Sequence, residues 1–350
     1  MRVPVFAAAA LFAFSTSVSA TTLTDTFTSY YAFGDSLTDD GKFGQLDAPS
    51  LDGRFSNGKT YAELVAEQFA AKGLDTGNLA LGGATAGPVN ANPAAKISTF
   101  IGQVRTFRRA MEKGWGLPTK VATPLSPTEE FTSGPPAPGK NPLISVLFGA
   151  NDIFQGGSPG NAANRVARNI RKLAEMGNGE FNDFVVMNLP DIGKTPAFAG
   201  TPGEAAASAA TALFNYKLAK KIAILQGEGL NIIGFDTNAA NQELLDDISS
   251  GTFKYGILDS STPCTGSIGA PLDPNFTNPG SCIDLGIDPN TLLFVDGVHP
   301  NGRAHEILAG KLVSQINASL APVPLPASLP LLGLGLMGVA VVARRRRKAA

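Results

Sequence analysis

The stretch Tyr30-Tyr31-Ala32-Phe33-Gly34-Asp35-Ser36-Leu37-Thr38 is an apolar run that stops at a glycine, an acid and a serine. Such a run predicts a buried strand, and the glycine predicts a turn at its carboxyl end. Ligands of open α/β sheets bind beyond the carboxyl ends of the strands, so the turn presents Ser36 as a candidate nucleophile. A serine hydroxyl is weak on its own. It needs a base to take its proton and donors to hold the charge that forms on an attacked carbonyl.

Downstream, helical and strand patterns alternate. Apolar residues recur at helical spacing over Thr60 to Ala71, Ile97 to Met111, Asn161 to Met176, Glu204 to Gln226 and Ala304 to Leu320. Short apolar runs at Asn78 to Leu81, Leu143 to Phe148, Phe184 to Leu189 and Leu230 to Phe235 predict further strands. Because these runs are continuous rather than alternating, they imply a mainly parallel sheet covered on both faces, a three-layer α/β/α fold. Two strand ends besides the first carry residues of interest: Gly82-Gly83 follows Leu81, and Gly149-Ala150-Asn151-Asp152 follows Phe148. A glycine there presents a backbone N–H, and an Asn presents either a side-chain donor or a simple turn. Residues 113–141 are rich in Pro and Gly, carry the single Trp115, and read as a surface excursion that borders the cleft.

Both ends of the 350-residue chain read as addresses. Arg2, the apolar run Val5 to Phe14 and the small residues Val18-Ser19-Ala20 have the order of a secretory signal, with cleavage expected after Ala20. At the far end, Val323-Pro324-Leu325-Pro326-Ala327 leads into an uncharged segment, residues 329–343, and then into Arg344-Arg345-Arg346-Arg347-Lys348. As a helix the uncharged segment reaches about 22 Å, a marginal span that the basic cluster would orient with its end in the cytoplasm. The tail resembles the sorting signals of exported bacterial proteins that an exosortase-type enzyme recognises and removes, and a simple membrane anchor is the other reading. The expected organisation is a signal peptide at 1–20, one domain at 21–321 and a sorting or transmembrane segment at 322–350.

Six of the 28 Lys and Arg lie in the two ends, which contain no acidic residue, so the central domain carries 22 against 29 Asp and Glu, a net charge of −7. No basic cluster remains there to suit a nucleic acid. Cys264 and Cys282 are the two cysteines, in a loop-rich stretch, and in an exported chain an even pair reads as a disulfide. Two thiols without a nearby histidine make an incomplete metal site, and no cofactor is implied.

The chain has two histidines. His299 follows Asp296 by three residues in Leu292-Leu293-Phe294-Val295-Asp296-Gly297-Val298-His299-Pro300, so the carboxylate can turn back onto the ring and set its tautomer. His305 falls on the last predicted helix and reads as a helix-surface residue.

Phe33-Gly34-Asp35-Ser36-Leu37, Gly83, Gly149-Ala150-Asn151-Asp152 and Asp296-Gly297-Val298-His299 resemble, in order, the four blocks of the GDSL or SGNH hydrolases. Arg54-Phe55-Ser56-Asn57-Gly58 further resembles the branch of plant-type GDSL lipases and bacterial lecithinase or haemolysin-like esterases. The resemblance covers Tyr31 to about Ile307 and implies a flavodoxin-like α/β/α fold. It also implies a Ser36, Asp296, His299 triad and an oxyanion hole made by the N–H groups of Ser36 and Gly83 with the Asn151 amide. Asp35 and Asp152 then hold their loops. The implied activity is hydrolysis of a carboxylic ester of a small molecule, lipid or polysaccharide through an acyl-serine. Transfer of the acyl group to an alcohol and O-deacetylation of a polysaccharide use the same groups. A surface or matrix binding protein is the non-enzymatic alternative.

Overall fold

In a computed structural model of the chain, residues 22–44, 46–87, 97–122, 128–266, 281–321 and 344 are described. The signal-like segment and residues 322–343 and 345–350 of the tail lie outside them. Among the described residues, no helix is long and apolar enough to cross a membrane.

The elements run α1 Leu23–Thr26, β1 Ser29–Gly34, α2 Tyr61–Ala70, β2 Asp75–Asn78, α3 Phe100–Lys113, β3 Pro118–Lys120, β4 Glu130–Phe131 and β5 Pro142–Leu147. They continue with α4 Ala150–Phe154, α5 Pro159–Met176, β6 Asp183–Met187, α6 Glu204–Gly227, β7 Asn231–Phe235, α7 Thr237–Ser249 and α8 Gly302–Leu320. The main sheet has the order β2-β1-β5-β6-β7, and every pairing in it is parallel. The mainly parallel sheet and the α/β class expected from continuous apolar runs are what the molecule shows.

All six residues of β1 and of β5 are buried, so neither strand spends a face on solvent. Aromatic rings fill the layer between β1, β5 and α3. Tyr31 and Phe33 meet Phe107 at centroid distances of 4.8 and 5.6 Å, and Phe100 stacks on Phe148 at 4.4 Å. Each such ring removes a large apolar area from water, which locks α3 on this face of the sheet. Gly34 ends β1 because a Cβ there would collide with the Thr38 side chain and press on the Leu147 carbonyl of β5.

Three expectations need correction. The second strand lies at Asp75–Asn78, ahead of the apolar run Asn78 to Leu81. It is a polar, half-buried edge strand, which hydropathy misses, while Leu79 and Leu81 extend the ladder by donating to the carbonyls of Ala32 and Gly34. The excursion at 113–141 contains a short antiparallel pair, β3 with β4. His305 is buried, at 1% exposure, with its Nδ1 accepting the Tyr61 N–H at 3.3 Å. Helix α7 has no counterpart in the sequence reading, because Leu244, Leu245 and Ile248 are too few to mark a face. Its N-terminus is instead capped by the Asp236 carboxylate, which accepts the Ala239 N–H at 2.9 Å.

Candidate active site

β2, β1 and β5 are neighbours in the sheet, so the turns after them form one rim. Ser36 sits two residues beyond β1, Gly83 follows the extended β2 ladder, and Asn151 lies in the first turn of α4, just past β5. Gly83 has φ of +76°, a conformation open to glycine and costly for other residues, and it is exposed to solvent. Side chains tie the rim together. Asn78 donates to the Thr38 carbonyl at 2.7 Å and accepts the Ala80 N–H at 2.8 Å. Asp39 accepts the N–H groups of Gly41, Lys42 and Gly82 at 3.1, 3.0 and 2.7 Å, which joins the serine turn to the residue before Gly83. Asp152 accepts the Ala86 N–H at 2.6 Å, and the Asn151 amide donates to the Ala84 carbonyl at 3.1 Å. An amide carries two hydrogens, so Asn151 keeps a second donor beyond that bond.

The segment bearing His299 arrives from the other end of the chain. His299 Nε2 lies 2.8 Å from Ser36 Oγ, and its Nδ1 lies 2.8 and 3.0 Å from the two oxygens of Asp296. A carboxylate only accepts, so Nδ1 carries the proton and Nε2 offers its lone pair to the serine O–H. Asp296 also accepts the N–H groups of Val298 and His299 at 2.9 and 2.8 Å. Burial opposes its charge, yet the His299 ring and these hydrogen bonds outweigh burial and hold its carboxyl below the usual carboxylate range. Ser36 is 8% exposed, so the three groups meet in a largely desolvated place. The Phe55 ring closes one side of the imidazole at 5.0 Å between centroids.

Several residues that support this segment carried no signal of their own in the sequence. Asn301 is fully buried, and its amide donates to the carbonyls of Pro289, Asn290 and Leu292 at 3.2, 2.9 and 2.7 Å while its oxygen caps α8 through the Ala304 N–H at 2.7 Å. Ser56 donates to the Pro300 carbonyl at 3.1 Å, and Asn57 accepts the Gly302 N–H at 2.8 Å. The Arg54 to Gly58 stretch, noticed only as a family likeness, therefore braces the chain just after His299. Cys264 and Cys282 form a disulfide. The N–H groups of Cys264 and Thr265 donate to the carbonyls of Phe294 and Val295 at 3.1 and 2.9 Å, so the crosslink grips the two residues before Asp296.

Burial pushes the Asp35 carboxyl up to about 7 and that of Asp39 up to about 6. Burial likewise pushes Asp152 above the ordinary carboxylate range. His305 moves the other way, down to about 4, because burial disfavours its charged form. Among the described residues, no cluster of three His, Cys, Asp or Glu side chains is arranged to hold a metal ion.

Residues 30–312 match the model of the GDSL-like lipase/acylhydrolase family, and residues 322–347 match the PEP-CTERM protein-sorting motif. Esterase EstA of Pseudomonas aeruginosa is 27% identical over 349 residues, a match covering 90% of this chain and 50% of that protein. A Pseudomonas putida protein described as uncharacterized, from the trpE-trpG intergenic region, is 26% identical over 82% of this chain and 48% of its own length. The chain thus spans about half the length of these curated relatives. Among solved structures, a putative GDSL-like lipase from Parabacteroides merdae superposes with a TM-score of 0.44 at 13% identity, covering 84% of this chain and 97% of that one. Est24, a carbohydrate acetylesterase from Sinorhizobium meliloti, superposes with a TM-score of 0.42 at 12% identity, covering 83% and 98%. With more than half of its length matched by one family model, the chain belongs to the GDSL-like lipase/acylhydrolase family, whose members are hydrolases of ester bonds.

Proposed function

We propose that the protein is an exported serine esterase that cleaves carboxylic esters through an acyl-serine. The observation that carries this reading is the continuous chain Ser36 Oγ, His299 Nε2, His299 Nδ1, Asp296, with both links at 2.8 Å, built from groups 263 residues apart in sequence. Ser36 Oγ attacks the ester carbonyl as its proton passes to His299 Nε2, and Asp296 stabilises the imidazolium that forms. The N–H groups of Ser36 and Gly83 and the free amide hydrogen of Asn151 hold the oxyanion. Collapse of the tetrahedral intermediate breaks the bond to the alcohol oxygen, which takes the proton from His299. Water then enters, gives a proton to the same nitrogen and attacks the acyl-serine, releasing the acid and restoring Ser36.

Each oxyanion donor contributes about 2.7 to 4 kcal/mol to the transition state by the measure of other hydrolases. The PEP-CTERM motif marks the chain for the cell envelope. Residues 1–20 act as the export signal in this reading, and an exosortase-type enzyme processes the tail. The test is hydrolysis of a 4-nitrophenyl ester series from acetate to palmitate by the protein and by its Ser36→Ala variant. Activity that falls by about 10⁴-fold or more in the variant is the expected result. Equal rates in both proteins would remove Ser36 from the mechanism.

A further inference from the structure

A groove of about 500 Å³ lies between α3 and the β3–β4 hairpin, a volume in the range of ligand sites. Ile97 and Val121 line it where the chain approaches the rim of the sheet. Ser98, next to Ile97, accepts the Thr85 N–H at 3.2 Å, and Thr85 is two residues beyond Gly83. Val121 donates its N–H to the Lys42 carbonyl at 2.9 Å, and the neighbouring Phe43 ring meets Phe55, which faces His299. From there the groove follows α3, whose 14 residues span about 20 Å, to Gly114 and Trp115 beyond its end.

The far part of the groove is unusual in what it leaves in water. Trp115, the only tryptophan of the chain, is 60% exposed, and Phe131 of β4 is 54% exposed. Both line the groove together with Arg109, Lys120 and Glu129. Flat aromatic faces accept the C–H faces of sugar rings, while the charged groups beside them can bond ring hydroxyls without leaving water entirely. Lys120 already pairs with Glu130 at 2.9 Å, and an alkyl chain laid along the same path would offer Arg109 and Glu129 no partner.

We propose that this groove is a subsite for the glycan part of an acylated polysaccharide, with Trp115 as its stacking platform and the ester presented to Ser36 at the other end. This deepens the esterase reading and rests on it for the identity of the scissile bond. The binding itself is tested apart from catalysis. The Ser36→Ala variant, which holds ligands without turning them over, is titrated with xylohexaose, cellohexaose and mannohexaose and, separately, with dodecanoate, while Trp115 fluorescence is followed. A saturable change with at least one oligosaccharide is the expected result. No response to any of the three, or a response to dodecanoate alone, overturns the proposal.

A second arm compares Trp115→Ala with the unmodified protein on 4-nitrophenyl acetate and on an O-acetylated form of the responding oligosaccharide. KM for the oligosaccharide should rise about tenfold, with turnover of the small ester unchanged. Equal losses on both substrates would also overturn the assignment. If the unmodified protein hydrolyses neither ester, the esterase reading fails, and the fluorescence titration still decides whether the groove binds glycan.

Discussion

The two arms of the site are built by different means. Ser36, Gly83 and Asn151 stand on the ends of parallel strands whose register is set by a buried aromatic core. Asp296 and His299 stand on a segment without a strand of the main sheet, held by isolated bridges, a disulfide and polar side chains such as Asn301, Ser56 and Asn57. The strands behind Ser36, the proposed nucleophile, are thus positioned chiefly by hydrophobic packing, which is non-directional and distributed over many contacts, while Asn78 and Asp39 tie their turns together. Around His299, the proposed base, Leu293, Phe294 and Val295 sit in smaller apolar clusters, and more of the holding falls to a few directional bonds, each of which can be removed singly. The difference teaches where the site is robust and where it is fragile.

The largest effect expected on the fragile arm comes from Asp296→Asn. It keeps the shape but favours the wrong ring tautomer, and steady-state kinetics should show turnover falling by about 10⁴-fold with the fold intact. Unchanged turnover would mean that the backbone bonds alone orient His299. On the robust arm, Asn151→Ala removes one of the proposed oxyanion donors, so turnover should fall by about 10² to 10³-fold with little change in KM. A rise in KM without a loss of turnover would instead place Asn151 in ground-state binding.

Reduction of the Cys264–Cys282 disulfide separates the arms by stability rather than rate. In the chain-entropy model a loop of this size contributes about 3 kcal/mol, which a urea titration reads as a lower midpoint. Hydrogen exchange should then show the amides of Cys264 and Thr265 losing protection while those of β1 keep theirs. Uniform loss across both regions would make the arms a single cooperative unit.

A further effect concerns pH. Asp35 and Asp39 have folded-state values raised to about 7 and about 6 by burial, so the folded protein keeps their protons where the unfolded chain has lost them. Their favourable contribution is complete below the unfolded value near 4 and is lost as pH rises through the folded values. Stability should therefore decline between about pH 4 and pH 7 from these two groups, and Asp35→Asn should flatten that decline in urea midpoints taken across the range. An unchanged profile would exclude Asp35 as a source. The carboxyl of Asp296, shifted downward, works in the opposite sense and contributes stability that is lost as pH falls.

The amino-acid sequence alone determined the parts that depend on local pattern. Continuous apolar runs specified a parallel sheet because only strands buried on both faces can be apolar at every position. Gly34, Gly83, Gly149 and Asn151 stood out because turns after strands impose their own residue choices. Asp296 and His299 were legible as a pair because three residues separate them. What only the tertiary structure decided depends on meetings between distant segments. Ser36 and His299 are 263 residues apart, and nothing local states that their side chains touch. The edge strand β2 is polar since one side of it faces outward, so its ladder is visible only once β1 lies beside it. His305 carries no mark of burial in its neighbours, and its place was decided by the Tyr61 amide that α2 brings to it. Asn301 gains its meaning from three carbonyls that fold around its amide. Hydropathy and spacing report what a residue prefers, whereas partners across the fold are set by packing, and packing is a property of the whole chain.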